Sequence, residues 1–201
     1  MQNEAQSSCE VIAIRVPGES FSPEKSVVSL SAEAYGAPMI EIVPEPPALH
    51  ADAIEALYDR PFGPGHFAKT AERLREGTRS LPELSRVAVK EVIVIGVTRL
   101  WPVSIGDAGA RGVFVGPVAG DPDFQGQRVG LSVTGEAIEA ATLAGWPVAV
   151  LIGAPSYFSE IGFEVTDALK FPGPQDRSRV MVRGLAESAQ GLEGAVSVLR
   201  D

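Results

Sequence analysis

The chain has 201 residues, of which 45% are apolar and 21% charged, with a formal net charge of -9 at pH 7. It is long enough to bury one ordinary core and too apolar for an intrinsically disordered segment. The acidic balance, with no lysine–arginine run, excludes a nucleic-acid binder as the leading reading, and no stretch has the length and apolarity of a membrane-spanning helix.

Residues 1–38 differ from the rest. They carry the single cysteine, Cys9, which excludes an internal disulfide framework and a multi-cysteine zinc site and suits a reducing cytosol. No metal is expected, and the opening residues, with no basic stretch before an apolar run, do not read as a secretory leader. Residues 11–16 can form a short strand. The segment is either a loosely attached extension or an extra edge strand docked on the domain that spans 39–201.

Regular pattern begins at Met39. Residues 40–43 alternate as a strand should. Ile54, Leu57 and Tyr58 recur at helical spacing, which predicts a first helix over 51–58. A breaker-rich loop follows, then a second helix over 67–76 with Gly77 as its stop. Residues 85–90 and 93–105 are rich in β-branched side chains and read as two strands. The turn between them, Glu91-Val92, is poor, because a β-branched residue resists the positive φ that tight hairpins demand. After a better turn over 106–112, a strand is predicted over 113–119. Residues 129–144 form a helix, with Val129, Val133, Ala137 and Ala141 on one face. The apolar run 148–152 reads as a central strand. A short helix at 156–161 and strands at 163–166 and 179–183 complete the order.

The stretch 116–130 carries the chemistry. A strand feeds a turn at Asp121-Pro122 and then a glycine-spaced entry into a helix. The first turn of a helix has N–H groups without internal partners and gains partial positive charge from the helix dipole. A diphosphate placed there satisfies both, and glycine lets the backbone come close to it. The same glycines, Gly126 and Gly130, can equally be turn and packing residues. Arg128 stands where such loops usually have glycine. If the position needs positive φ, arginine costs roughly 1–2 kcal/mol. If it needs only room, the side chain can swing out or pair with a phosphate.

Set in order, these motifs resemble the GNAT superfamily of acetyl-CoA-dependent N-acetyltransferases, whose pattern [RQ]-x-x-G-x-[GA] follows a strand and opens a helix. Gln125 and Gly130 match its ends. Residues 59–77, 99–103, 115–119 and 156–163 resemble an uncharacterised bacterial subgroup, and the likeness runs from about residue 39 to 185. It implies an α/β fold with a mixed, mostly antiparallel sheet of six to seven strands, helices on both faces, and a splay between the fourth and fifth strands. It implies acetyl-CoA as co-substrate, held by the backbone of Val118, Ala119 and Gly120 along its pantetheine and by Gln125, Gly126, Gln127, Arg128, Val129 and Gly130 at its pyrophosphate. The implied reaction is acetyl transfer to an amine of a small molecule or protein, in the cytoplasm. The acceptor is unknown, and the resemblance also allows a homodimer.

Two positions depart from the superfamily. Arg128 replaces the middle glycine. Phe158 occupies the place of the tyrosine that many relatives use to protonate the leaving thiolate, and it has no proton to give. Its neighbour Tyr157 is the candidate acid, with packing or wall-lining as the other use. His66 is the candidate base, with a solvent-facing position at a helix start as the other use. Trp101 either floors the acceptor pocket or packs in the core. The alternative to an enzyme is a degenerate acyl-CoA-binding or interaction module without catalysis.

Overall fold

A computed structural model describes residues 39–45, 54, 57, 58 and 73–199. The proposed extension over 1–38, the loop containing His66 and most of the two early helices lie outside the described residues. Of the first helix, Ile54, Leu57 and Tyr58 are helical and buried.

One long strand organises the sheet. Strand β3 (Ile93–Ile105) pairs antiparallel along its first half with β2 (Arg86–Lys90), and β2 with the edge strand β1 (Ile40–Pro44). On its other side β3 pairs antiparallel with β4 (Ala110–Gly120) over nearly its whole length. Beyond β4 come β5 (Val148–Ile152), β8 (Val180–Gly184) and β6 (Glu164–Val165), giving the order β1-β2-β3-β4-β5-β8-β6. The one parallel contact on this path joins β4 to β5, at Val113 with Ala149 and Phe114 with Val150 only. These seven strands match the predicted sheet. Two short strands were not predicted: β7 (Leu169–Lys170) and β9 (Gly194–Val198), which pair with each other, β9 also closing on Val103–Ile105 of β3.

Both faces carry helix. Helix α1 (Val129–Leu143) lies on one, its Val129 and Val133 packed with Ala88 and Ile95. Farther along, Ala137, Ile138 and Ala141 meet Leu100, Val113 and Val115. Ile54, Leu57 and Tyr58 cover the other face against Val87, Val97 and Ala119. The close seat of α1 depends on Gly96, where a Cβ would stand 2.5 Å from Cγ1 of Val129. The short helix α2 (Pro155–Phe158) runs into a 3-10 turn over Ser159–Ile161.

The hairpin between β2 and β3 resolves its difficulty differently from the sequence expectation. Glu91, not Val92, takes the positive φ, at 59°. Val92 keeps a negative φ, so the β-branched residue is spared the left-handed region.

Candidate active site

The site forms where β4 and β5 part. Their pairing ends at Phe114 and Val150, yet β4 runs on to Gly120 and β5 to Ile152. The gap opens into a cavity of about 930 Å3 between them, floored by the start of α1 and by Tyr157.

Strand β4 bends at a bulge. Its register against β3 shifts between the Thr98–Val118 and Leu100–Val115 pairs, so Gly116 and Pro117 together face the single residue Arg99. Such a bulge re-aims backbone groups at a site. It is held from behind: the Trp101 indole N–H donates to the Gly116 carbonyl at 2.6 Å. Arg99 forms a forked ion pair with Glu45, at 2.7 Å for the shortest contact. Its guanidinium lies 5.5 Å from the Tyr58 ring centre. Trp101 is half-buried and supports the bulge, a use between the two that the sequence allowed.

Past the bulge, the ladder decides which groups face the cavity. The Asp121 N–H donates to the Ile95 carbonyl at 2.8 Å. Antiparallel pairing alternates every second residue, so Ala119 bonds toward Val97 of β3. Val118 and Gly120 then turn their N–H and C=O groups to the other edge, which β5 has left. Both line the cavity, whereas Ala119 is buried in the core behind it.

The loop that follows is a 3-10 turn over Pro122–Phe124, capped by the Asp121 carboxylate accepting from the Asp123 N–H at 3.1 Å. The Gln125 and Gln127 N–H groups donate within the loop, to the Pro122 and Phe124 carbonyls. The first bond of α1 runs from the Ser132 N–H to the Arg128 carbonyl. Val129, Gly130 and Leu131 therefore have N–H groups with no partner inside the helix. Gln125, Gly126, Arg128, Val129 and Gly130 all line the cavity; Gln127 does not.

Arg128 occupies the left-handed region, with φ 58° and ψ 22°. The position needs the positive φ, and arginine bears its cost, roughly 1–2 kcal/mol. Its side chain pairs with the Glu160 carboxylate on the turn after α2, and both side chains are largely solvent-exposed.

Tyr157 and Phe158 divide the roles that their adjacency left open. Phe158 is buried, edge-on to Phe163 with ring centres 6.3 Å apart. Tyr157, the less buried of the two, lines the cavity together with it. Its hydroxyl faces the Leu131 N–H at the helix start and would stand 2.6 Å from a Cβ placed on Gly130. Burial raises the Tyr157 pKa, the Leu131 bond pulls against it, and the Glu160 charge adds to the rise. The phenol stays protonated at neutral pH.

Behind the loop, a buried hydroxyl pair fixes the helix start. Thr134 Oγ1 donates to the Gly130 carbonyl at 2.7 Å and lies 2.9 Å from Thr98 Oγ1. With Thr134 donating to the carbonyl, Thr98 donates to Thr134, tying β3 to the first turn of α1. Sequence reasoning did not single out either threonine; a hydroxyl at an inward position of each element was the available signal.

The remaining wall comes from the segment before β8. The Gly153 N–H donates to the Arg179 carbonyl at 3.0 Å, joining this segment to the β5 side. Pro174, Gln175, Asp176 and Arg179 line the cavity there, with Arg75 and Phe114. Asp176 caps a 3-10 turn, its Oδ1 accepting from the Ser178 N–H and hydroxyl. Those bonds lower its pKa. Among the described residues, no group of three or more His, Cys, Asp or Glu is arranged to hold a metal ion. No described helix is long and apolar enough to cross a membrane.

No protein-family model matches the chain. It is 30% identical over 152 residues to YhbS of Escherichia coli strain K12, an uncharacterised N-acetyltransferase, over 74% of this chain and 90% of that one. The solved structure of the GNAT family N-acetyltransferase YhbS from Escherichia coli, in complex with CoA, matches with a TM-score of 0.71 and 29% identity. That match covers 82% of this chain and 92% of the other. A GNAT family acetyltransferase from Brucella melitensis, in complex with acetyl-CoA, matches with a TM-score of 0.51 and 24% identity over 72% of this chain and 96% of that one. At that identity the likeness concerns the fold alone.

Proposed function

The chain belongs to the GNAT family of N-acetyltransferases, and from that premise we propose that it transfers an acetyl group from acetyl-CoA to an amine of a small molecule or protein. The observation that carries the reading is the parting of β4 and β5 over a helix start with unpaired N–H groups. A linear ligand with amides along its middle and a diphosphate at one end fits that arrangement.

In this reading the backbone of Val118 and Gly120 pairs with the pantetheine amides, while Ala119 keeps the strand on β3. The N–H groups of Gly126, Arg128, Val129 and Gly130 take the pyrophosphate, and Gln125 and Gln127 hold the loop's shape through their own bonds. An N–H of the β4 bulge faces the thioester carbonyl as its oxyanion forms, a stabilisation of the kind that dominates acyl transfer. Attack by the amine forms the C–N bond, and collapse breaks the C–S bond and releases CoA thiolate. Tyr157 is the acid that protonates it. His66, outside the described residues, stays the candidate base on its sequence position alone.

A second reading, a CoA-binding module without catalysis, is favoured by Phe158, which lines the cavity at the place of the usual acid and has no proton to give. Calorimetry with acetyl-CoA, followed by a thiol-release assay over a panel of amines, separates the two. Binding with release supports the enzyme. Binding without release supports the module. No binding at millimolar acetyl-CoA overturns both.

A further inference from the structure

The two bulge residues of β4 each give their carbonyl to an aromatic side chain. The Trp101 indole N–H donates to the Gly116 carbonyl at 2.6 Å. The Tyr58 hydroxyl donates to the Pro117 carbonyl at 3.4 Å, a longer bond. Neither side chain lines the cavity. Tyr58 is buried among Val87, Val97 and Ala119, with the Arg99 guanidinium over its ring. Trp101 has the Arg75 guanidinium 5.9 Å from its ring centre. Both rings are seated by the protein itself, outside the space that a donor would fill.

What these bonds fix is the aim of one N–H. The Leu100 carbonyl accepts from the Leu81 N–H at 2.8 Å, and the Leu100 N–H donates to Ser85 Oγ at 3.0 Å. Both groups thus point away from Val115, the residue opposite Leu100 in the register. Val115 is then a partner without ladder bonds and turns its own groups to the β5 side. The Gly116 N–H lies across the same planar peptide from the Val115 carbonyl, so it points back toward β3. Pro117 has no N–H. The Val118 N–H, turned to the edge that β5 has left, is the one that the bulge offers to the gap. It shares a peptide plane with the Pro117 carbonyl and points opposite to it. Tyr58, by holding that carbonyl, sets the direction of the N–H. Trp101, by holding the carbonyl one residue earlier, fixes where the plane begins.

We propose that Trp101 and Tyr58 are positioning residues for acyl transfer: by holding the Gly116 and Pro117 carbonyls, they aim the Val118 N–H at the thioester carbonyl, where the oxyanion develops. The inference rests on the acetyltransferase reading. The Val118 carbonyl stays available to the pantetheine. A preorganised donor of this kind acts in the transition state more than in binding. Losing its aim should therefore lower kcat and leave donor affinity nearly untouched. Aromatic side chains that only satisfied buried carbonyls would, when altered, change stability alone.

The test uses the full chain. Acetyl-CoA binding is measured first by calorimetry. If it fails, the acetyltransferase reading fails and this inference falls with it. If it holds, two resonances are followed by NMR. One is the Val118 amide proton, titrated with acetyl-CoA and with CoA, which has no thioester carbonyl. The other is the carbonyl carbon of acetyl-CoA labelled there with 13C. In the unaltered chain, acetyl-CoA should move the Val118 amide downfield further than CoA does, and the bound carbonyl carbon should lie downfield of the free one. Trp101→Phe keeps an aromatic ring beside Arg75 and removes the N–H. It should shrink both shifts and lower kcat about ten- to a hundredfold with any amine that the unaltered chain acetylates. The acetyl-CoA Kd should change by about twofold or less. Tyr58→Phe should act in the same direction to a smaller degree, in keeping with its longer bond, and it carries the test if Trp101→Phe does not fold. Binding without turnover on any amine leaves the two resonances to decide. The proposal is overturned if CoA and acetyl-CoA move the Val118 amide alike, or if both variants keep the carbonyl shift of the unaltered chain. It is also overturned if their loss of rate is only a loss of acetyl-CoA affinity or of folded protein.

Discussion

Tyr157 places its hydroxyl against Gly130, so close that a Cβ added there would lie 2.6 Å from the oxygen. The [GA] position of the family pattern is thereby narrowed to glycine in this chain, by a side chain the pattern does not mention. Gly130→Ala should push Tyr157 off the Leu131 N–H and weaken acetyl-CoA binding. Without the hydroxyl, the nearest ring atom is 3.7 Å away, an ordinary contact. Calorimetry should therefore find Gly130→Ala harmful alone and well tolerated with Tyr157→Phe. Equal harm in both backgrounds would mean that the clash is not the cause.

The raised pKa of Tyr157 sets the direction of a pH effect. Burial is its largest cause. The unfolded phenol titrates near pH 10 and the folded one above it, so between those values the folded state holds a proton that the unfolded state has lost. Stability from this group is full below pH 10 and declines as pH rises past it. Tyr157→Phe should flatten that decline in denaturant titrations. In turnover assays the same substitution should lower kcat about tenfold or more if the phenol is the thiolate's acid, with acetyl-CoA affinity little changed.

Arg128 and Glu160 give a prediction specific to this chain. The left-handed conformation costs arginine roughly 1–2 kcal/mol, and an exposed ion pair returns about 0–1 kcal/mol. Arg128→Gly removes both terms and also loosens the unfolded chain, so melting should change little or rise slightly. Arg128→Ala keeps the strain and loses the pair, so it should be the less stable of the two. Glu160→Gln releases the guanidinium and removes a negative charge beside the loop that would hold the diphosphate. Acetyl-CoA should then bind more tightly, by an amount that shrinks with added salt and is smaller in the Arg128→Gly background, where only the loss of the Glu160 charge remains. Tighter binding that ignores salt would point away from charge.

The sequence made much of this legible, and the exceptions have physical causes. The β-branched run of β3 and the apolar stripe of α1 mark elements whose burial is decided by their own residues. Strands β7 and β9 escaped because one has only two residues and the other is held by pairing with distant chain, at Val103–Ile105 and Leu169–Lys170. The glycine spacing from 125 to 130 pointed to the helix start, but the φ of Arg128 depends on how the 3-10 turn enters α1. Tyr157 and Phe158 are neighbours on one short helix and both line the cavity, and packing against Phe163 makes Phe158 the more buried of the two.

Thr98 and Thr134 allow a test of how the helix start is held, through non-additivity. Both side chains are fully buried. Thr134→Val leaves the Thr98 hydroxyl without its partner, and a buried unpaired hydroxyl costs about 1–3 kcal/mol. Thr98→Val is milder, because Thr134 keeps the Gly130 carbonyl as acceptor. Replacing both removes the orphan along with the bond, and the apolar isosteres fill the same space. Chemical denaturation should therefore find the double variant more stable than Thr134→Val alone, an ordering that simple addition of the two losses forbids. Acetyl-CoA affinity is a separate readout. If the pair fixes the first turn of α1, the double variant should bind more weakly even where its stability has recovered, because nothing then ties Gly130 to β3.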